Sequence, residues 1–587
     1  MIKKYQTSTL NFFQTLAVDQ YKILINALKS RIVLAVSLIL LFLTLRALKF
    51  LVFLYSISAP LLPSKFLFLL LTGYTIYFLI LRSRKALIIV LILEDLWILL
   101  NSIYFLYFDN YFHILNFLFH LTTNFSNAKE GISFLSAVSV IGWVSRLLII
   151  LIDLPIFLVL LNTNIFSKVK EVIKQKASKR VWILCVTALL LSEFFFTTRN
   201  DGIYNITSKM LKEGLSLKEE KKAISRYGTL FLNILDLLYL LDDKLAYKIV
   251  ERGREIVFTG SYPRRNVIVI QVESLDSSVV FTDYKGQPVT PFLRSLAEEC
   301  IFFPIVVSYH FAGYTSDAEF AVLTSLHPLK DIPSIRYWRN YNNSIVKVLK
   351  SNNYVAYAFH NNKGTFFGRK DAYKRMGFDK LFDITEMGLE EKGWGASDED
   401  VFNFARNFIK KLKNTNFFAF IITMSTHGPF TFTEKYYTNE LFNDIEDSTT
   451  RRYFNSMSYI DKVLSNFVDF VRSNFSNTSV IIYGDHHSSV QNSSYYKRSV
   501  AFVDEGKIIE IVPLFIIDPE IESKKFITPV SQIDISPTIL YLCRAKGKII
   551  SKGEVLLPSP KSKTVFYLGE KVEKEKILKG LNFSPYY

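Results

Sequence analysis

Cysteine is scarce in this chain, with three in 587 residues at Cys185, Cys300 and Cys543. They are too widely separated to form a metal-ligand or disulfide pattern, and Cys185 falls inside an apolar run, so no disulfide framework is expected. Basic residues are missing from two particular segments. The stretches near 58–65 and 109–133 carry only Lys65 and Lys129, although the chain as a whole has a formal charge of +17. A net charge of this size suits nucleic acid or an anionic surface. Here much of the excess lies beside apolar runs, and membrane topology accounts for it without a nucleic-acid partner.

What is abundant is apolar. Half the residues are hydrophobic, 15% are aromatic, and the mean hydropathy is +0.22. These residues crowd into the first two hundred positions as long runs. Five are near the ~20 residues that cross a bilayer, at roughly 32–57, 66–81, 86–108, 134–161 and 181–197. The first is longer than a signal-peptide core and is not followed by a small-residue cleavage site, so it reads as an anchor. Lysines and arginines gather before the first run, between the second and third, and at 168–180. The positive-inside rule then places the N-terminus in the cytoplasm and everything after 197 outside. Ionisable residues within the runs (Glu94, Asp95, Arg146, Asp153, Glu193) either line a path or pair within the bundle. The expected organisation is a five-helix membrane domain over 1–199, a helical linker over 200–255 with an apolar stripe at 227–241, and an extracytoplasmic domain over 256–587.

From about 256 the pattern changes to short apolar runs between amphipathic stretches. NVIVIQV (266–272), YVAYAF (354–359), FFAFIIT (417–423), SVIIY (479–483) and VPLFII (512–517) read as strands buried on both faces of a parallel sheet. Helical stretches at 343–352, 398–413 and 450–475 make the pattern that of a doubly wound α/β domain. Polar residues then fall at strand ends. Glu273 follows the first strand, His360 the second, His427 the third by four residues, and Asp485 and His486 the fourth. Ligands of open α/β sheets bind outside the carboxyl ends of strands.

Glu273, Asp485 and His486 offer hard oxygen and imidazole donors suited to Mn²⁺ or Mg²⁺, and no thiolate for a structural zinc. Thr315, in AGYTSDAEF, is expected at the N-cap of a helix with Asp317 in its first turn. Its hydroxyl is either that cap or a nucleophile whose pKa a bound cation lowers. His427, in MSTHGPF, reads as a general acid or phosphate contact, or else as a loop histidine. Arg369, in GTFFGRKD, offers a fork for phosphate or carboxylate.

The motifs QVESLDSS, YTSDAEF, HNNKGTFFGR, MSTHGPF and YGDHHSS, with five N-terminal runs before them, resemble the lipoteichoic acid synthase family in order and spacing. The resemblance implies an alkaline-phosphatase/sulfatase-type outer domain and a phosphoglycerol transferase using phosphatidylglycerol as donor and a glycolipid or polyglycerolphosphate as acceptor. It implies Mn²⁺ or Mg²⁺ held by Glu273, Thr315, Asp485 and His486, with Thr315 as nucleophile. It also implies that His360, Arg369 and His427 hold the glycerophosphate. Asn362 stands where the family often has Asp, Phe367 where it has Trp, and His487 where Tyr is common. TSDAE at 315–319 does not match the Cys/Ser-x-Pro-x-Arg motif of arylsulfatases, which argues against sulfate-ester hydrolysis. Phosphoethanolamine or glucan-directed transfer on the same site, and a non-catalytic membrane scaffold, are the alternative functions.

Overall fold

The computed structural model describes residues 31–56 and 84–108, scattered positions between 112 and 233, and nearly all of 253–584. They fall into two compact units, one holding the N-terminal helices and the other everything described from 253 onward.

In the first unit, helices α1 (Arg31–Ser56) and α2 (Arg84–Phe108) occupy the first and third expected spans. Among the described residues no helix is long and apolar enough to cross a membrane. Charged residues interrupt both runs, and these pair with one another. Buried Arg46 binds Glu94 and reaches Asp153 Oδ2 at 2.5 Å. Lys49 Nζ lies 2.6 Å from Asp95 Oδ1 and 2.8 Å from Asp153 Oδ1. Pairing within the bundle is thus what Glu94, Asp95 and Asp153 do. Arg146, Glu193, the expected spans at 66–81 and 181–197, most of 134–161 and most of the 227–241 stripe lie outside the described residues.

The second unit is built on seven principal strands: β1 (Asn266–Val272), β2 (Ile301–Val307), β3 (Val355–His360), β4 (Lys380–Phe382), β5 (Phe417–Ile422), β6 (Thr478–Gly484) and β7 (Lys507–Ile517). They lie in the order β2-β7-β6-β1-β5-β3-β4, within a sheet of ten strands among the described residues. β6, β1, β5, β3 and β4 run parallel to one another. The expectation of a wholly parallel sheet fails at β7, which is antiparallel to both β6 and β2. β7 also pairs antiparallel with the preceding Val500–Val503, so it is entered from a neighbouring antiparallel strand without a crossover helix. A strand buried on both faces is apolar whichever way it runs, and this is why the direction could not be read from VPLFII.

Side chains alternate across β1. Val267 and Val269 pack in one layer with α4 (Thr315–Thr324), α5 (Arg369–Met376) and α8 (Gln532–Leu542). Ile268, Ile270 and Val272 pack in the other with α3 (Pro291–Glu299), α6 (Asp398–Ile409) and α7 (Ser448–Asn474). The two-layer covering is what the doubly wound pattern requires. Local signals fix the helix starts. Asp447 accepts from the Thr449 and Thr450 amides to cap α7. Ser397 caps α6, whose first turn carries Asp398, Glu399 and Asp400 against the helix dipole.

Register brings the strand ends level. Gln271 stands opposite Ile422 of β5 and Tyr483 of β6, and Val272 opposite Gly484. Gly484 is fixed by space, because a Cβ there would lie 2.1 Å from the Leu275 carbonyl oxygen and 2.9 Å from Val512 Cβ. Gly484→Ala is therefore expected to lower stability by about 1–3 kcal/mol, the usual range for overpacking. Urea unfolding would measure this, and an unchanged midpoint would show that the backbone gives way freely.

Candidate active site

The expected strand-end residues converge. Glu273 leaves the end of β1 and Asp485 the end of β6, and the Asp485 amide still bonds the Val272 carbonyl at 3.2 Å. Asp485 Oδ1 accepts from the amides of Ser274 at 2.8 Å and His486 at 2.7 Å. His486 Nε2 points between the carboxylates, 3.3 Å from Glu273 Oε1 and 3.5 Å from Asp485 Oδ2. Its Nδ1 lies 2.8 Å from the His487 carbonyl oxygen, so donating to that carbonyl would leave Nε2 free as a ligand atom. The ligand atoms of Glu273, Asp485 and His486 all lie within 4.8 Å of one another, and all three residues are buried.

Thr315 completes the set, in a way that settles its local role. It is the first residue of α4 and not the cap, a position that falls to Tyr314 without any side-chain cap bond. The N-cap expectation is corrected accordingly. The hydroxyl instead donates to Glu273 Oε2 at 2.8 Å, while the Thr315 carbonyl accepts from Gln271 Nε2 at 3.1 Å. Asp317 does lie in the first turn, where it accepts from the Phe311 and Gly313 amides. Tyr314 and Ser274, each next to a site residue, hold positive φ angles of 49° and 56°. Non-glycine residues adopt that region at a cost of about 1–3 kcal/mol each, and such positions cluster at functional sites.

Charge is divided unevenly in the cluster. Burial, with Glu273 beside it, pushes the Asp485 carboxyl well above its ordinary range. Burial opposes ionisation of Glu273 too, but the His486 and His427 imidazoles outweigh it and hold that carboxyl low. Burial pulls His486 down, yet Asp485 and Glu273 carry it up to about 10. Asp485 Oδ2 is buried and accepts no hydrogen bond. A hydroxyl, two carboxylates and an imidazole around an uncommitted oxygen fit a divalent cation such as Mn²⁺ or Mg²⁺.

The other expected residues lie on the same edge. His360 is the last residue of β3, fully buried, with neither ring nitrogen in a well-formed hydrogen bond although the Ile422 backbone is close. Arg369 opens α5 and is 1% exposed. Its fork is taken by a carboxylate of this chain, Glu319, and its Nη1 has no partner. Phe367 is buried, and its ring centroid is 5.4 Å from the Arg369 guanidinium carbon. Asn362 uses its side-chain oxygen locally, on the Lys363 amide. His427 leans on Trp394, ring centroids 4.4 Å apart, and the two share a cavity with Lys392, Met424 and Phe432. His487 lies 3.5 Å from Glu510 Oε1, and Glu510 also meets His310 Nδ1 at 3.2 Å.

Sequence reasoning missed Trp394, Glu319, Glu510 and Gln532. Gln532, from α8, donates to the Gly484 and Asp485 carbonyls. None of these lies at the end of one of the expected parallel strands, the signal that found Glu273, His360, Asp485 and His486. Asp398 was also missed. It accepts from Asn361 Nδ2 at 2.8 Å, the Met424 amide at 2.9 Å and the Ser425 amide at 3.2 Å, tying the His360 loop to the His427 loop.

Burial pushes the Asp398 carboxyl up to about 6, against those hydrogen bonds. An unfolded aspartate titrates near ~3.9, so the folded state holds the extra proton and loses stability as pH rises from about 4 to 6, by up to ~3 kcal/mol. Asp398→Asn lacks this titration. Between pH 4 and 7 the stability difference is expected to move by up to that amount in the variant's favour. A pH-independent difference in urea unfolding would refute the assignment.

Residues 265–544 match the sulfatase family. Lipoteichoic acid synthase 2 of Bacillus subtilis is 32% identical over 317 residues, 51% of this chain and 48% of that protein. This part of the chain is thus similar to sulfatases and to lipoteichoic acid synthases. Lipoteichoic acid synthase of Staphylococcus aureus is 28% identical over 299 residues, covering 49% of this chain and 46% of its own length. The chain spans about half the length of the curated relatives it matches. The crystal structure of a Listeria monocytogenes lipoteichoic acid synthase aligns at 27% identity with a TM-score of 0.47, over 54% of this chain and 82% of that one. The α/β domain anticipated from the motifs is present, and its residues 265–544 are those that match the sulfatase family.

Proposed function

We propose that this chain is a membrane-anchored phosphoglycerol transferase. It moves glycerophosphate from phosphatidylglycerol to a cell-envelope glycolipid or polyglycerolphosphate through a covalent intermediate on Thr315. The observation that carries the reading is the Thr315 hydroxyl, 2.8 Å from Glu273 within the cluster of Glu273, Asp485 and His486. A hydroxyl held there by a carboxylate, at the first residue of a helix, is oriented for attack on a phosphorus centre.

In the first step the Thr315 hydroxyl gives up its proton along its hydrogen bond to Glu273, Oγ1 forms a bond to the phosphodiester phosphorus, and the bond from phosphorus to the diacylglycerol oxygen breaks. The departing oxygen takes a proton, for which His427 is the nearby donor. In the second step an acceptor hydroxyl passes its proton to His427 and attacks the same phosphorus, and Thr315 leaves, regaining its own proton from the Glu273 side. Glu273, Thr315, Asp485 and His486 would hold Mn²⁺ or Mg²⁺, which lowers the hydroxyl pKa and offsets phosphoryl charge when bound. Arg369 and His360 supply uncommitted N–H groups for the phosphate oxygens, and Phe367 an apolar wall. Asn362 would contact the head group.

Five N-terminal spans with positive-inside loops, and a linker over 200–255, would hold the domain over 256–587 at the outer leaflet, beside a lipid donor. The lysines and arginines flanking the apolar runs support that orientation. Mass spectrometry of the protein after exposure to phosphatidylglycerol tests the reading. A glycerophosphoryl adduct on the peptide containing Thr315 is expected, and its absence under conditions that release diacylglycerol would refute the covalent route.

A further inference from the structure

Glu319 lies four residues after Thr315 on α4, one turn along and on the same side of the helix. Its carboxylate is fully buried and fully engaged. Arg369 Nε donates to both oxygens at 2.9 and 3.0 Å, and Nη2 to Oε1 at 2.6 Å. The Tyr373 hydroxyl, one turn along α5, donates to Oε2 at 2.7 Å. Phe366 and Phe367 stand 5.8 and 5.4 Å from the guanidinium carbon. Two of the three guanidinium nitrogens are therefore committed, and Nη1 is left buried without a partner.

A pair serving only the stability of the core would be expected to satisfy its donors, since an unmet buried N–H is costly. Here His360 too is buried with ring nitrogens that lack a hydrogen-bond partner. That imidazole is pushed well down, first by burial and then by the Arg369 charge, so the two side chains are near each other. Uncommitted nitrogens from two buried side chains, next to the helix that bears Thr315, make a place for an anionic oxygen.

We infer that Glu319 is a positioning residue: it grips Arg369 from the helix that carries Thr315 and thereby fixes where Nη1 meets a phosphate oxygen relative to the Thr315 hydroxyl. The inference rests on the proposed phosphoglycerol chemistry. It adds that one turn of α4 sets the spacing between nucleophile and phosphate contact. Moving the carboxylate should displace the guanidinium even though Glu319 touches no substrate.

The test uses the full chain in detergent, with glycerol phosphate as probe and calorimetry as readout, alongside KM and kcat for phosphatidylglycerol. Glu319→Gln is expected to weaken probe binding more than tenfold and to divide its loss between KM and kcat as Arg369→Lys does. Mn²⁺ affinity should stay unchanged in both. In the double variant the losses should not multiply. Folded Glu319→Gln protein that binds the probe as wild type does, or losses that multiply, would overturn the inference. If Glu319→Gln does not fold, Tyr373→Phe removes one tether and is expected to weaken binding several-fold, and unchanged binding would overturn it equally. Wild-type protein that neither binds the probe nor releases diacylglycerol would overturn the functional reading and this inference with it. Wild-type binding beside an indifferent Glu319 variant would overturn this inference alone.

Discussion

Thr315→Ala protein is expected to release no measurable diacylglycerol from phosphatidylglycerol, a loss of at least ~10³-fold, while its outer domain stays folded. The size follows from the proposed role, since removing a nucleophile removes the covalent path itself. The folded outcome follows from the structure. Thr315 is not a helix cap, so its truncation costs α4 no terminal hydrogen bond. It removes one donor to Glu273, whose Oε1 still accepts from Ser274 Oγ at 3.0 Å and lies 3.3 Å from His486 Nε2. A hydrogen bond of this kind contributes about 1 kcal/mol to stability, small beside the expected loss of activity. Lipid extraction with quantitation of diacylglycerol, paired with near-ultraviolet circular dichroism, separates the two effects. Undiminished release would sink the nucleophile assignment.

The second large effect concerns the cation. Chelation is expected to abolish activity, and Mn²⁺ or Mg²⁺ to restore it. Asp485→Ala is expected to weaken Mn²⁺ binding by at least ~100-fold, the upper end of what loss of a supporting group around a metal costs. Two carboxylates in one buried cluster repel each other and lose hydration, so they need a positive partner. Without a cation that partner is the protonated His486 ring, which Asp485 and Glu273 raise to about 10 against the pull of burial. Asp485 Oδ2, which accepts no hydrogen bond, is the oxygen most available to an incoming ion. Titration of full-length protein with Mn²⁺, followed by electron paramagnetic resonance, measures the affinity directly. Equal affinity in wild type and Asp485→Ala would remove Asp485 from the ligand set.

Much of this site was legible because the relevant residues sit where β-strands stop. A buried strand is a continuous apolar run, and the first polar residue after it marks the sheet edge. Glu273, His360, Asp485 and His486 were found this way, and β1, β3, β5 and β6 lie within a residue or so of their expected bounds. The direction of β7 was hidden because burial on both faces erases any trace of orientation. Glu319 was hidden because a glutamate one turn into a helix looks the same whether it faces solvent or grips an arginine. Trp394 reaches the site from a loop with no periodicity, and Asp398 looks like ordinary first-turn acid on a helix. Spacing alone left Thr315 between cap and nucleophile. The separation appears only once Glu273, 42 residues away in sequence, is seen to accept its hydroxyl.

That separation also bears on how the site comes into being. The Thr315–Glu273 bond closes 42 residues of chain, the Glu273–Thr423 bond 150, and the Ser274–Asp485 bond 211. Closing loops of that length costs entropy before any contact repays it, so parallel sheets with distant pairings form slowly. β1 lies between β5 and β6, and its end cannot be flanked on both sides until the chain has been made through Gly484. The ion-binding corner is therefore among the last parts of the domain to assemble. On the proposed chemistry, nascent and half-folded chains would carry Thr315 without the partners that activate it, and lipid cleavage would be confined to finished molecules.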